Sequence, residues 1–142
     1  LSGRPRIWSM YIYGWIRGDM LNHIIGFGPE SWSRSFTLYA HNTLVNNLYE
    51  YGVVGVVGIL FLWFSMLAAA LRVRHPHRGT LIGAHLSFLI LNMSTMPMWM
   101  IEGNILYGII CGYTLYLLSL QTQQARMPRQ RAAPQAPAPA AG

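Results

Sequence analysis

Three apolar runs, each free of Asp, Glu and Arg, occupy the second half of the chain and are separated by short polar links. The first, GVVGVVGILFLWFSMLAAAL, covers residues 52–71. The second, GTLIGAHLSFLILNMSTMPMWMI, covers residues 79–101 and is interrupted by His85, Asn92 and Pro97. The third, ILYGIICGYTLYLLSL, covers residues 105–120. A bilayer's hydrocarbon core takes about 20 helical residues, so the first two are long enough and the third needs its flanks. All three read as transmembrane helices. The competing reading, buried helices of a soluble protein, would need three such helices in one short chain.

Ahead of these runs the period changes. Trp8, Tyr11, Ile12, Trp15 and Ile16 fall on one face of a helix, with Pro5 suited to its first turn. An aromatic face of this kind fits either a membrane interface or neighbouring protein. GFGPESW follows, and its Gly26, Gly28 and Pro29 predict a turn. It lacks the further glycine and preceding strand of a nucleotide loop. A second amphipathic helix starts near His41, with Leu44, Val45 and Leu48 on its face, and Gly52 offers a break before the first span. The predicted class is all-α: a polytopic membrane protein with three spans and an amphipathic external segment over residues 1–51.

Charge orients the spans. Apolar residues make up 53% of the chain and charged ones 10%, and the net charge of +6 is carried by arginine alone among the basic residues. Arg72, Arg74 and Arg78 fall in the link over residues 72–78, and Arg126, Arg129 and Arg131 in the tail over residues 121–142. The positive-inside rule makes both cytoplasmic, leaving residues 1–51 and a tight turn at residues 102–104 outside. The outer arginines (Arg4, Arg6, Arg17 and Arg34) run against that bias and so invite a functional explanation. No basic run with interleaved aromatics marks a nucleic-acid surface. Cys111, alone in an apolar run, reads as a small hydrophobe. The Pro/Ala-rich end predicts a disordered tail. The abrupt opening LSGRPRIW reads as the start of the C-terminal piece of a longer protein.

Candidate chemistry gathers before the first span. Arg4 and Arg34 suit an anion, because guanidinium forks onto phosphate oxygens; the alternative is a headgroup anchor or plain surface charge. His41 is the natural proton acceptor near neutral pH, unless it only fills a helix's first turn. Glu50, nine residues later, stands too far round a helix for a direct dyad with His41. It could bond a sugar, pair with an arginine or face the interface. His75 and His77 are too few for a metal site. His85 and Asn92 share a helical face and suit interhelical hydrogen bonds. Pro97 should kink the second span near its outer end and open space there, which the methionines of MSTMPMWM could line or simply pack.

SGRPRIW, then GFGPESW, then AHNTLVNNLYEYGVVG, resembles in order and spacing the C-terminal part of the bacterial O-antigen ligase/polymerase superfamily. The likeness covers residues 2–58 by motif and the later spans by topology. It implies a fragment of a glycosyltransferase C-like fold in the bacterial inner membrane. It also implies transfer of a glycan from undecaprenyl diphosphate to an acceptor hydroxyl on the periplasmic face, without a metal or other cofactor. The acceptor would be another lipid-linked glycan, lipid A-core or a protein side chain. By position, Arg4 would grip the diphosphate and His41 would serve as general base. Asn42 would position the helix or a sugar hydroxyl, and Glu50 matches the acidic residue before G-x-x-G without a defined role. Arg34 is a secondary substrate-binding candidate with no secure counterpart. The chain is short for that family, so this piece alone is expected to be inactive. Polymerase and ligase are not separated by these residues; polymerase is preferred. Rival readings are a non-enzymatic transport fragment, which should carry charges deep in several spans, and a docking module that depends on Trp8 and Trp15.

Overall fold

A computed structural model of the chain describes residues 3–74 and 76–131, and every element among them is helical. Three short helices come first: α1 (Arg4–Ile16), α2 (Met20–Ile25) and α3 (Trp32–Ser35). The long α4 (Thr43–Arg72) and α5 (Arg78–Ser94) then pack as an antiparallel pair. A 3₁₀ turn, Pro97–Trp99, leads into α6 (Ile101–Arg131). Side-chain hydrogen bonds mark the two ends of the bundle. At one, the Thr43 hydroxyl donates to Asn92 Oδ1 at 2.6 Å. At the other, Gln121 Oε1 accepts from the Arg74 amide at 2.6 Å, so the basic link and the last part of α6 lie together.

Two helices, α4 and α6 over Ile101–Ala125, are long and apolar enough to cross a membrane. Their most apolar stretches are only 17% and 11% buried within the chain, so most of their surface faces outward. Phe61, for example, is 74% exposed. A soluble protein's core helix would be covered; these faces need an apolar surrounding. The 30 residues of α4 rise about 45 Å, against about 30 Å of hydrocarbon. The charge-free run over residues 52–71 alone rises about 30 Å, and Thr43–Glu50 precede it in the same helix.

Several boundaries differ from the sequence expectation. The second run does not form one helix over residues 79–101: α5 stops at Ser94 after 17 residues, about 25 Å, at the lower limit for a span. Pro97 disfavours helix at Met96 before it, and the Thr95 hydroxyl turns back to the Leu91 carbonyl at 2.7 Å. The turn between α5 and α6 therefore lies at residues 95–100. Glu102, Gly103 and Asn104 sit instead in the first turn of α6, where a carboxylate suits the helix dipole. α6 also runs on through residues 121–131: residues 121–127 contain neither Gly nor Pro, and Pro128 falls in its last turn. The rest of the expected tail, residues 132–142, and His75 lie outside the described residues.

Three apolar clusters follow one another along the bundle. Trp63, Phe88 and Tyr107 tie α4, α5 and α6 at mid-height. Ala70, Val73 and Leu81 close the basic-link end. The third cluster, Tyr11, Ala40, Tyr49 and Met96, joins the short helices to the bundle. His85 and Asn92 are both buried and both bonded across helices, as their shared face predicted. Thr114 spends its hydroxyl proton on the Ile110 carbonyl at 2.8 Å, so His85 Nε2 donates to Thr114 Oγ1 at 3.0 Å.

Candidate functional site

The short helices are fixed to the bundle by one joint. Gly52 interrupts α4 with φ 63° and ψ −157°, the break that the sequence suggested. A helix interrupted there leaves the carbonyls of Tyr49 and Glu50 without their usual partners. The backbone amides of Phe27 and Gly28 donate to those two oxygens, each at 2.9 Å. The GFGPESW turn thus docks on the exposed backbone of α4. It can do so because Gly26, with φ 75°, lies directly against the Glu50 carbonyl, and Gly52 against Ile24. Any Cβ at either position would overlap main-chain atoms.

Around this joint an aromatic group assembles. Tyr49 is its hub, with Tyr11 and Phe36 edge-on at 5.5 and 5.0 Å and Phe27 stacked at 4.7 Å. The Tyr11 hydroxyl donates to the Leu38 carbonyl at 3.0 Å, and the Trp8 indole to that of Ala40 at 2.8 Å. Burial, then the Glu50 carboxylate, pushes the Tyr11 phenol above its ordinary value, so it remains a hydrogen-bond donor. The inward side of α1 is therefore Ile7, Trp8, Tyr11 and Trp15, while Ile12 and Ile16 face out. The expected stripe is rotated because Trp8 and Tyr11 each have a carbonyl to satisfy.

These bonds position the loop over residues 37–41. His41 stands before the helix, not in its first turn, and has φ 51°. A left-handed backbone is uncommon outside Gly, although Asn, Asp and His adopt it several-fold more often than other side chains, and Glu30 shares it at φ 57°. Here Trp8 holds Ala40 on one side and Asn42 is fixed on the other. Asn42 is the N-cap of α4: its Oδ1 accepts from the Leu44 and Val45 amides at 2.9 and 3.1 Å. Its Nδ2 donates to the Met93 carbonyl at 3.1 Å, tying α4 to the end of α5. Asn42 is thus committed to positioning.

The His41 ring lies on Tyr39, centroids 3.9 Å apart, and faces a cavity of about 410 Å³. Thr95, Met96, Pro97, Trp99 and Met100 form the rest of its wall. The space opens where Pro97 ends α5, with methionines in its lining. Trp99 stacks nearly parallel to Tyr39 at 6.4 Å, and Trp32 is edge-on to both.

Behind Trp99 lies a smaller cavity of about 130 Å³, lined by Thr43, Asn46, Asn47, Glu50, Tyr51, Ile59 and Met98, and by the same Met96 and Trp99. The expected face of α4, with Leu44, Val45 and Leu48, is not its most buried one; Thr43, Asn46, Tyr49 and Glu50 are. Glu50 is 1% exposed, and its Oε2 accepts from Asn46 Nδ2 at 2.9 Å. Glu50 Oε1 and Asn46 Oδ1 have no partner. Burial pushes the Glu50 carboxyl above the ordinary 4.5, against a smaller opposing pull from the Asn46 amide. The Glu30 and Trp32 backbone amides also face it and draw it down, yet neither closes on Oε1 within hydrogen-bond distance.

The arginines divide. Arg4 begins α1 and is exposed, one turn before Trp8 and so on the side of α1 that meets Ala40 and the His41 loop. Arg34 is exposed in α3, and the pocket linings that contain His41 or Glu50 do not include it. Arg6 lines a third cavity of about 310 Å³ with Met10, Tyr11, Phe36 and Leu38. Arg17 covers the Tyr13 ring at 4.4 Å. Among the described residues no three His, Cys, Asp or Glu side chains group to hold a metal ion.

The sequence reading singled out His41, Asn42 and Glu50 but missed Tyr39, Asn46 and Trp99, and named Arg6 only among the outer arginines. Asn46 carried a signal, midway between Asn42 and Glu50 at i+4 spacing. Trp99 carried none, since only the break at Pro97 turns it toward His41. No family model, curated protein or solved structure matches the chain.

Proposed function

We propose that this chain carries part of a glycosyl-transfer site at the outer face of the bacterial inner membrane. A glycan passes there from undecaprenyl diphosphate to an acceptor hydroxyl, in the manner of an O-antigen polymerase or ligase, with polymerase preferred. The observation that carries the reading is His41. It is held in a left-handed backbone at the mouth of an aromatic and methionine-lined cavity, beside the helix that enters the apolar run. Strained backbone of this kind concentrates at functional sites.

In the reaction the His41 imidazole takes the proton of the acceptor hydroxyl as its oxygen attacks the anomeric carbon. The bond from that carbon to the diphosphate breaks, and its electron pair leaves with the diphosphate, inverting the centre. Arg4, on the side of α1 next to the His41 loop, meets the growing negative charge. Arg6 shares that helix end and is a second candidate. Glu50 contributes to substrate binding, and Arg34, exposed in α3 outside both linings, is a secondary substrate-binding candidate. No metal takes part. The link bearing Arg72, Arg74 and Arg78 stays cytoplasmic, which sets His41 on the periplasmic side. The docking alternative draws no support from α1, whose Trp8 is turned inward and bonded to Ala40.

The test uses the full-length gene in a deletion strain of its own host, with membrane levels followed by blot. His41→Ala should abolish glycan extension or transfer, and Arg4→Ala should reduce it at least tenfold. Accumulated single lipid-linked repeats identify a polymerase, and long unattached chains a ligase. Wild-type ladders from both variants would refute the proposed roles.

A further inference from the structure

We infer that the groove between α5 and α6, at the basic-link end of the bundle, holds one anionic phospholipid. Its headgroup lies by His77, Thr80 and the link arginines, and an acyl chain lies between the two helices. The inference stands on this end of the bundle alone and does not use the transfer reading.

Shape gives the first half of the argument. A cavity of about 280 Å³ opens between the two helices. His77 and Thr80 line it where α5 begins, and Ala84, Ile109, Ile110 and Tyr113 line it further in. From His77 to Ala84 the helix rises about 10 Å. The space is about nine water volumes, enough for a stretch of one hydrocarbon chain. Ile109 and Tyr113 are 64% and 46% exposed, so the groove opens outward, toward the surroundings of the apolar helices. The His77 ring stands edge-on to that of Tyr113 at 6.5 Å, which puts a polar mouth directly at the end of the apolar lining.

Charge gives the second half and selects the occupant. Arg74 and Arg78 flank His77 in sequence and are exposed, as is Arg72 at the end of α4. The Asp and Glu side chains of the chain are Asp19, Glu30, Glu50 and Glu102, and none belongs to this end. Glu102 stands about 28 Å along α6 from Gln121, the residue that holds the Arg74 amide. Glu50 stands about 33 Å along α4 from Arg72. Screening acts over about 8 Å, so no carboxylate of these helices offsets the link arginines. An anionic phospholipid meets both demands in one molecule. A free anion would balance the charge and leave the groove empty, and a zwitterionic lipid would fill the groove without balancing the charge. Basic pockets between transmembrane helices take acidic lipids for this reason.

The test uses purified full-length protein in phosphatidylcholine nanodiscs, with a phosphatidylglycerol carrying a photoactivatable group on its acyl chain. Adducts mapped by mass spectrometry should concentrate in residues 77–84 and 109–113. Unlabelled phosphatidylglycerol should compete at least about tenfold better than phosphatidylcholine. The double variant Arg74→Gln, Arg78→Gln changes two exposed side chains and should lose that preference. Arg17→Gln, in the segment before α4, should keep it. Ala84→Phe, which fills the groove and leaves the arginines in place, should remove most of the adducts. Adducts spread evenly over the exposed faces of α4 and α6 would overturn the site, as would equal competition by the two lipids. So would a groove that takes no label because another helix of the full-length protein, or a second copy, covers it. These outcomes leave the roles of His41 and Arg4 untouched.

Discussion

Asn42 spends every part of its side chain on architecture, and its cost of removal follows from that. Losing an N-cap costs about 0.5–2 kcal/mol, and the bond to Met93 adds to it. Asn42→Ala should therefore lower the stability of the solubilised protein by about 2 kcal/mol in thermal unfolding. Asn42→Ser, which can keep the cap and loses only the bond to Met93, should lose less. His41 next to it is different: its ring faces a cavity, and its backbone is left-handed. Asparagine tolerates that conformation, so His41→Asn should fold at wild-type level and still fail in transfer. Glu50 gives a pH test whose sign is fixed by burial. Its pKa in the fold lies above the ordinary 4.5, so the neutral form is the one the fold favours. Its contribution is full below the unfolded value and is lost as pH rises through the folded one. Glu50→Gln should unfold at higher temperature than wild type at neutral pH, and the difference should vanish on acidification to below about pH 4.

Among the elements, the joint between the GFGPESW turn and the break in α4 decides whether the short helices are held at all. Gly26 and Gly52 meet across it, and a methyl group at either runs into backbone. Gly26→Ala and Gly52→Ala should each cost about 3 kcal/mol or more, seen as protease sensitivity confined to the segment before α4. Gly58, in the same helix with open space around it, is the control. Gly58→Ala should stabilise α4 by about 0.5–1 kcal/mol through helix propensity. The contrast separates glycines that the joint requires from those that the helix merely contains.

For the whole molecule, the hydrogen bonds at each end of α4–α6 set residues 37–41 and the basic link at opposite poles. In a Cys111→Ser background, Thr37→Cys should react with a membrane-impermeant maleimide in intact spheroplasts, and Arg74→Cys only after permeabilisation. Equal labelling at both positions would contradict the orientation assigned to the chain.

Much of this was set by local sequence. The apolar run after Gly52, the helix that Pro5 starts, the glycine turn and the break at Gly52 depend on the few residues at hand. Short-range sterics and hydropathy determine those. The alignment of His41, Asn42 and Glu50 near the start of that run is likewise a property of the chain. Other features only tertiary contact decided. α1 turned its Trp8 and Tyr11 inward because two carbonyls of a distant loop needed donors. α4 buried Asn46 and Glu50 in place of Leu44 and Leu48 because the turn at Gly28 and the methionines after α5 close over that side. Trp99 came to face His41 because Pro97 ended α5 early. Hydrophobic periodicity reports which side of a helix is apolar. It does not report where buried oxygens find, or fail to find, their donors.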